Sequence, residues 1–329
     1  LLPYTTLFRS QSLIADYFNR AERPRAMATY FMGYILSMFL GYLVGGWLVE
    51  SYGWRVTFLL LGLPAIVVAI IAKLTLKESR LGSVAINHSS EQSLYSTFFI
   101  LWRQKTYRFI FVGFCASYFV EMGVNQWLAT FFIRSHSMTS AEVGAWFAVI
   151  WGGGGIAGHF VGGYLATHYA AHQEKKQFRA IALLSVASVF FYLLLYLSSN
   201  KYLALAAMLV IAFLSTAGVG CIFAGIQSVV SMRMRSISVA LIFLFSNLIG
   251  FGLGPLLLGI VSDLLSQYFA EDSLRYALVL FAPGGLVVAY YFWRASEVIE
   301  CDIANDERNI EQPLGRESDV LKAQVNNHA

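Results

Sequence analysis

Glu121 is the residue of this sequence whose type and position most clearly indicate chemistry. It is the one charged residue in the run 109–133 and lies thirteen residues from both Arg108 and Arg134, which is about 20 Å along a helix. Three polar side chains share its helical face: Ser117, Tyr118 and Asn125. If this run spans a membrane, a carboxylate at its middle costs at least about 2.5–3.5 kcal/mol, and such residues usually face a cavity or a partner. We predict that Glu121 binds a polar group of a solute or takes up a proton; an acid that only locks helix packing is the alternative.

Gln227 and Asn247 are weaker candidates for the same site, because amide side chains in apolar helices often only bond between helices, at about 0.6 kcal/mol each. His159 is predicted to be a packed, neutral histidine rather than a titrating one. The sequence contains no Ser/His/Asp or Cys/His grouping that supports catalysis and no Walker-type phosphate loop. We therefore expect neither an enzyme nor a bound cofactor or metal.

Glycine-rich stretches predict helix packing rather than ligand binding. Residues 153–158 match G-x-G-x-x-G, but no strand–turn–helix unit surrounds them, so a dinucleotide site is excluded. Gly154, Gly158 and Gly162 instead follow each other at four-residue spacing and form a ridge that lets helices approach closely. Gly254 and Pro255 lie in a second glycine-rich stretch and predict a close-packed helix that can bend during gating.

Charged residues at the ends of the apolar runs admit both a structural and a gating interpretation. Three arginines lie at predicted cytoplasmic helix ends: Arg25, Arg233 and Arg235. Contact with anionic headgroups explains these arginines, and ion pairs that hold one access state are the alternative. On the opposite side, Asp263 with Arg275 and Glu50 with Arg55 are candidate ion pairs worth about 0–1 kcal/mol each.

Composition excludes a soluble enzyme. Apolar residues make up 57% of the 329 residues and charged residues only 13%, against about 45–50% and 25% in globular proteins. So few charges cannot cover the water-facing surface of a chain this long. The three cysteines are scattered along the chain, so neither a disulfide framework nor a zinc site is predicted.

Eight runs nearly free of charge approach or exceed the roughly 20 residues that a helix needs to cross a bilayer. They are residues 26–49, 56–72, 109–133, 143–173, 180–200, 202–232, 236–262 and 276–293. In lipid only helices and closed barrels satisfy their own backbone hydrogen bonds. We therefore predict an all-α, multi-pass membrane protein.

The connections between these runs predict the orientation. With the segment before the first run placed inside, the inner connections hold fourteen Lys and Arg residues and the outer ones hold four. Cytoplasmic loops carry such an excess, so both termini are predicted to be cytoplasmic. We expect an integral protein of a bacterial inner membrane.

An internal repeat predicts a duplicated architecture. Leu40-Gly41-Tyr42-Leu43 … Gly46 … Glu50 recurs 213 residues later as Leu253-Gly254-Pro255-Leu256 … Gly259 … Asp263. Many secondary transporters are built from such halves, and the same offset applied to the third run predicts roughly 110 further residues upstream, enough to complete twelve helices. Residues 1–10 resemble no membrane span and are expected to be a non-native artefact.

Three sets of residues resemble motifs of one known family of membrane proteins. Ser-Leu-Ile-Ala-Asp-Tyr-Phe at 12–18, followed by Arg-Pro-Arg-Ala at 23–26, resembles the loop after that family's fourth helix. Gly-Gly-Trp-Leu at 45–48, followed by Tyr-Gly-Trp-Arg at 52–55, resembles its fifth helix and the next connection. The third set is the stretch from Asn247 to Pro255, with Ser262-Asp263-Leu264-Leu265 and Ser273-Leu274-Arg275. The family that these sets resemble is the major facilitator superfamily of transporters, and the third set most resembles its spinster-like branch.

The resemblance covers about residues 11–294 and implies a partial major facilitator fold, with about eight of twelve transmembrane helices. It implies five regions: 1–10, the artefact; 11–76, the end of an N-terminal six-helix bundle; 77–104, a cytoplasmic linker; 105–294, a C-terminal six-helix bundle; and 295–329, a disordered cytoplasmic tail. The glycines of the fifth helix are present, among them Gly41 and Gly46, without the usual proline. The family's Gly-x-x-x-Asp-Arg loop stands here without its acid and base, as the residues from Gly163 to His168.

The function implied by this resemblance is secondary active transport by alternating access. The expected cargo is a small amphiphilic or organic solute coupled to an ion, expected to be H⁺; the expected partners are that solute, the ion and membrane lipid, and no nucleic acid. One alternative is an organic-acid or sugar-acid symporter of the same superfamily, which predicts cations inside the cavity. Another is a non-transporting receptor or an inactive fragment. The proton-linked acids of the first and fourth helices have no counterpart in this chain, so none is assigned.

Overall fold

The computed structural model describes residues 23–75, 94–169, 173–230 and 234–303, and every regular element in these ranges is helical. The helices are α1 (Arg23–Thr75), α2 (Leu94–Arg103), α3 (Lys105–His136), α4 (Ser140–Val149), α5 (Gly155–Tyr169), α6 (Glu174–Leu197), α7 (Lys201–Ala217), α8 (Val219–Val229), α9 (Arg235–Asn247), α10 (Gly254–Phe269), α11 (Ser273–Phe281) and α12 (284–303). A π-helical turn, Ile150–Gly154, joins α4 to α5, and a second, Leu248–Leu253, joins α9 to α10. The predicted all-α fold is confirmed.

Five helical stretches of the described chain are long and apolar enough to cross a membrane. They are Ser37–Ile71, Lys105–His136, Glu174–Leu197, Lys201–Ile226 and Ile237–Ile303. The first bends sharply at Gly53, whose φ of 74° and ψ of 166° favour glycine. The last passes through a 3-10 turn, Ala270–Asp272. Each of these two breaks falls between two runs that the sequence predicts as separate spans.

One compact unit consists of α1 and residues 138–153. Here α4 crosses α1 at two glycines, because a Cβ added at Gly46 would lie 2.9 Å from the Cα of Gly144. The rings of Tyr42 and Phe147 pack edge to face beside this crossing, with centroids 5.7 Å apart. The absence of side chains at both glycines therefore lets the two backbones touch.

The second compact unit contains α2, α3 and the chain from Gly154 onward. Its core is aromatic: the ring of Phe98 stacks on that of Trp102, and the ring of Phe111 contacts both Trp102 and Phe245, with centroids 5.4–5.5 Å apart. Such pairs contribute about 0.5–1.5 kcal/mol beyond their buried area. These contacts join α2, α3 and α9 at one end of the unit.

The same end of this unit is held by polar contacts from α12. The backbone N–H and the hydroxyl of Thr106 both donate to Oδ2 of Asp302, at 2.9 and 2.7 Å. Nζ of Lys175 lies 3.3 Å from Oε2 of Glu300. The last helix therefore fixes the N-terminal ends of both α3 and α6.

Two predicted boundaries need correction. The chain from 94 to 103, expected inside a polar linker, forms helix α2, and its Leu101 is fully buried. Helix α12 continues to residue 303, beyond the predicted start of the tail at 295, because Ala295 and Ile299 pack into the core. The predictions for residues 1–10, 12–18, Arg233 and 304–329 fall outside the described residues.

Candidate functional site

Glu121 lies midway along α3 and is half-buried. Residues seven positions before and after it, Phe114 and Leu128, share its helical face and are only 4% and 3% exposed. The opposite face of α3 carries Gly123, whose backbone touches that of Gly254. The carboxylate therefore projects from the face of α3 that packs into the second compact unit.

The carboxylate of Glu121 is not neutralised by its neighbours. Within the described ranges, no ion pair or hydrogen bond reaches it, and its electrostatic interaction is with Tyr192 on α6. One turn further along α3, Oδ1 of Asn125 is buried and has no hydrogen-bond partner among the described residues. The carboxylate of Glu121 and the amide oxygen of Asn125 are therefore two neighbouring acceptors that make no hydrogen bond with the described residues.

The other two members of the predicted stripe are engaged with their own surroundings. The hydroxyl of Ser117 donates to the carbonyl of Gly113, one turn earlier, at 3.0 Å. The ring of Tyr118 packs on that of Phe114, with centroids 4.9 Å apart. The backbone of Tyr118 touches Gly250, where a Cβ would lie 2.8 Å from its carbonyl oxygen. Ser117 and Tyr118 therefore shape the helix beside Glu121.

Asn247 lies close to the stripe along the chain but does not join it through a described contact. Its amide nitrogen donates to the carbonyl of Phe243 on its own helix at 2.6 Å, and the side chain is exposed. It directly precedes the π-helical turn that contains Gly250. π-Helical turns recur at functional sites, so this part of the predicted site remains a candidate. For Gln227 and Arg25, only the helical backbone positions, in α8 and α1, are described.

Two tyrosines of α6 belong to this site and were not predicted from the sequence. Tyr192 and Tyr196 are 6% and 0% exposed, and their rings stack with centroids 5.9 Å apart. The hydroxyl of Tyr196 has no hydrogen-bond partner in the described chain. Their four-residue spacing was the available signal, but tyrosine is common both in cores and at membrane interfaces.

The predicted glycine positions differ in what they contact. A Cβ at Gly254 would lie 2.8 Å from the carbonyl of Phe119, and the carbonyl of Pro255 accepts a hydrogen bond from Nε1 of Trp127 at 3.0 Å. These contacts make the crossing of α3 and α10. At Gly41, by contrast, an added Cβ would meet nothing within 4 Å in the described structure, so the predicted packing role is not seen there.

The glycine ridge of α5 lies against α7. A Cβ at Gly154 would lie 2.8 Å from the side chain of Leu209, and one at Gly158 would overlap the hydroxyl of Thr216. That hydroxyl donates to the carbonyl of Gly155 at 3.1 Å. Nδ1 of His159 lies 3.0 Å from the same carbonyl, one turn earlier on its own helix, but its side chain is exposed, so the prediction of a packed histidine is wrong.

The two predicted outer ion pairs do not form. NH1 of Arg275 lies 3.4 Å from Oδ1 of Asp272 rather than pairing with Asp263, because α11 places Arg275 one turn from Asp272. The guanidinium of Arg55 lies 4.4 Å from the centroid of its neighbour Trp54. The carboxylate of Glu50, which was expected to pair with Arg55, instead accepts a hydrogen bond of 2.7 Å from the backbone N–H of Ala141, at the N-terminus of α4. A helix N-terminus attracts a carboxylate, which explains this choice of partner.

No group of three or more His, Cys, Asp or Glu side chains in the described ranges is arranged to hold a metal ion. The chemistry that these residues offer is therefore that of polar groups set in an apolar helical bundle. Such an arrangement is suited to binding a solute or a proton inside a membrane.

Comparisons with known proteins agree with this arrangement. The model of the Major Facilitator Superfamily matches residues 10–251. An MFS-type efflux pump of Mycolicibacterium smegmatis is 23% identical over 302 residues, which is 91% of this chain and 69% of the pump. A cis,cis-muconate transport protein of Acinetobacter baylyi is 26% identical over 157 residues, which is 43% of this chain and 37% of that protein.

Two solved structures share the fold. Both are of a bacterial homologue of the human lysosomal transporter Spinster in an inward-facing conformation, one unoccupied and one occupied. Their TM-scores are 0.75 and 0.73; each is 20% identical, and each match covers 89% of this chain and 74% of the solved one. The family model spans more than half of the chain, and the helices fold as in these transporters. The chain therefore belongs to the Major Facilitator Superfamily of membrane transporters.

Proposed function

We propose that this protein is a secondary transporter of the spinster-like branch, which moves a small amphiphilic or organic solute by alternating access and is coupled to protons. The observation that carries the proposal is the half-buried carboxylate of Glu121 at mid-span, on a face of α3 that also carries the buried Phe114 and Leu128. A bare carboxylate in an apolar interior is costly, so it persists where it binds something. The likeness in fold to the Spinster homologue supports the choice of branch.

The surroundings of Glu121 favour a proton or a neutral polar group as its ligand. The described residues supply no cation within ion-pairing distance of its carboxylate. An anionic solute beside Glu121 would be repelled by the like charge of the carboxylate. A proton would neutralise the carboxylate, and a hydroxyl group could donate a hydrogen bond to it. Asn125 adds an acceptor oxygen next to it.

An organic-acid symporter is the second candidate, favoured by the similarity to the cis,cis-muconate transport protein. Such a carrier would neutralise its cargo with basic side chains. In the second compact unit, the described Lys and Arg residues of α3 lie near its two ends, at Lys105, Arg108 and Arg134. Among the described residues, the cationic site that this function requires is therefore not found beside Glu121.

The gating roles assigned to Gly46, Gly254 and Pro255 are part of the same proposal. The crossing of α1 and α4 depends on Gly46 and Gly144, and the crossing of α3 and α10 depends on Gly254. Helices that meet without intervening side chains can slide or rock with little repacking. A bacterial inner membrane and cytoplasmic termini complete the proposal and rest on the distribution of Lys and Arg.

The test is a transport assay with the full-length protein, including the upstream residues that the repeat predicts, reconstituted in proteoliposomes that contain a pH-sensitive dye. Two probes are added under an imposed pH gradient: a fluorescent lysophosphatidylcholine and cis,cis-muconate. Proton movement driven by the lysolipid supports the proposed function, whereas movement driven by muconate alone supports the organic-acid symporter. Movement of neither probe would favour the non-transporting alternative.

The variant Glu121→Gln keeps the shape of the side chain but cannot ionise, so we expect proton-coupled transport to fall by about 10- to 100-fold. Glu271→Gln is the matched control, because Glu271 is an exposed glutamate in the 3-10 turn. If Glu121→Gln transports like the wild type at every pH, the role proposed for this carboxylate is wrong.

A further inference from the structure

Buried polar atoms without partners are concentrated in one part of the molecule. Seven buried side-chain nitrogen or oxygen atoms of the described residues have no hydrogen-bond partner. Six of them belong to the second compact unit, and four of these six lie in the half of the unit between Glu121 and the C-terminal end of α3: Asn125 Oδ1, Tyr196 Oη, His136 Nε2 and Arg275 Nε. Native proteins leave few such atoms unpaired, so a cluster of four indicates a shared cause.

Three of these residues, Tyr196, His136 and Arg275, lie on a continuous line of interactions that starts at Glu121. Glu121 interacts with Tyr192, and the ring of Tyr192 stacks on that of Tyr196. The ring of Phe131 then contacts both Tyr196, at 5.9 Å between centroids, and His136, at 5.4 Å. The line thus leads from mid-span on α3 to the C-terminal end of that helix.

Charged groups meet the line where it ends. The imidazole of His136 interacts electrostatically with Arg275, at the start of α11, and with Lys201, at the start of α7. Asp272 pairs with the same Arg275 and lies in the exposed 3-10 turn. The line of interactions therefore ends among charged and exposed residues at this end of the unit.

The unpaired buried atoms along this line need hydrogen-bond partners, and bound water molecules are the usual ones. Leaving one such group unpaired costs about 1–3 kcal/mol. Buried waters with two to four polar partners are the usual solution where protein atoms do not meet each other. Asn125, Tyr196 and His136 supply such partners at intervals along the line.

We propose that a file of water molecules, held by Asn125, Tyr192, Tyr196 and His136, conducts protons between Glu121 and the end of the unit that carries His136. This inference rests on the proposed proton coupling and adds a route to it. The residues of this route all lie within the second compact unit.

The relay conserves bonds and charge at each step. A tyrosine hydroxyl accepts a proton from a water on one side and releases its own proton to a water on the other. His136 accepts the first proton on a ring nitrogen and releases a proton to the first water, which returns its imidazole to the neutral form. Glu121 takes up the last proton on its carboxylate oxygen. The distance from Glu121 to His136 is about 22 Å along α3, which requires waters between the side chains.

X-ray hydroxyl-radical footprinting tests the waters directly, because it oxidises side chains that touch a bound water even when bulk solvent does not reach them. We expect Tyr196 to be oxidised in the detergent-solubilised protein. Tyr107 is the matched control: it is equally buried, at 1% exposure, but its hydroxyl donates to the carbonyl of Ser238 at 3.0 Å. Oxidation of Tyr196 no faster than that of Tyr107 would overturn the proposal, whatever the protein transports.

The variant Tyr196→Phe tests the function of the route, since it removes one hydroxyl and little else. We expect the rate of transport driven by the pH gradient to fall at least about tenfold. Exchange of the same probe across the membrane without net proton movement should keep its rate. Tyr290→Phe is the control, because Tyr290 is an exposed tyrosine of α12.

The outcomes separate this route from the proposed function. If the wild type moves the probe with protons and Tyr196→Phe does so equally fast, the route is wrong and the transporter assignment stands. If exchange and gradient-driven transport fall together, Tyr196 is structural and the route is again wrong. If the wild type moves no protons, the proposed coupling itself fails.

Discussion

The N-termini of α3 and α4 each receive a carboxylate from a distant part of the chain, yet the two helices depend on it differently. Helix α4 has its own cap: the hydroxyl of Thr139 accepts from the N–H of Glu142, and the side chain of Glu142 bonds back to the N–H of Thr139. Helix α3 begins after Gln104, which makes no capping hydrogen bond with its side chain. For α3, the carboxylate of Asp302 takes over the capping role.

The two carboxylate contacts also differ in how deeply they are buried and in how many hydrogen bonds the carboxylate accepts. Asp302 accepts two hydrogen bonds from Thr106, which is fully buried. Glu50 accepts one hydrogen bond, from Ala141, and is itself exposed. A helix end in water can exchange such a partner for solvent, whereas a buried helix end cannot. The contact at α3 therefore stabilises the fold, and the contact at α4 can open and close at little cost.

The largest effect is expected from Asp302→Ala. It leaves the buried N–H and hydroxyl of Thr106 without their acceptor, so we expect the free energy of unfolding in mixed micelles to fall by about 2–3 kcal/mol. The control is Asp263→Ala, which removes an exposed carboxylate from α10. Equal stability of the two variants would show that α3 needs no cap from α12.

The role of Asp302 illustrates what the sequence leaves open. The spans were predictable because charge-free runs of about 20 residues admit few other structures in lipid. Asp302 lies in a polar stretch that resembles a solvated tail, and the packing of Ala295 and Ile299 on the same helix brings it to α3. Helix α2 was missed for a similar reason, since its apolar face becomes visible only with the aromatic partners it packs against.

The candidate site was predictable where the signal was local and was missed where it was not. Glu121 and Asn125 share a helix, so their spacing alone predicted a common face. Tyr192 meets Glu121, on another helix, only through folding, and tyrosines in an apolar run give no sign of their partners. The expected pairs Asp263–Arg275 and Glu50–Arg55 were wrong, because nearness in sequence did not reveal that Asp272 and the N-terminus of α4 lie closer.

A middle-sized effect is expected from Thr139→Ala, which removes the local cap of α4. The N–H of Glu142 then loses its acceptor, and loss of such a cap typically costs about 1 kcal/mol. The neighbouring Ser140→Ala is the control, since it removes a hydroxyl just inside the helix. A loss as large as that of Asp302→Ala would mean that local and distant caps are equivalent, and the comparison would fail.

The smallest effect is expected from Glu50→Ala. An exposed N–H at Ala141 can bond water once the carboxylate is gone, and a charge near a helix N-terminus contributes only about 0.3–1 kcal/mol at a surface. We expect a loss below about 0.5 kcal/mol in the wild-type background and a larger one when Thr139→Ala is also present, because α4 then keeps neither cap. Unfolding of the wild type, both single variants and the double variant in the same micelles measures this coupling. Strictly additive losses would show that Glu50 and Thr139 act on α4 independently. If Glu50→Ala alone lowered the free energy of unfolding as much as Asp302→Ala does, the contacts of Glu50 and Asp302 would be equally important for stability, and the comparison would fail.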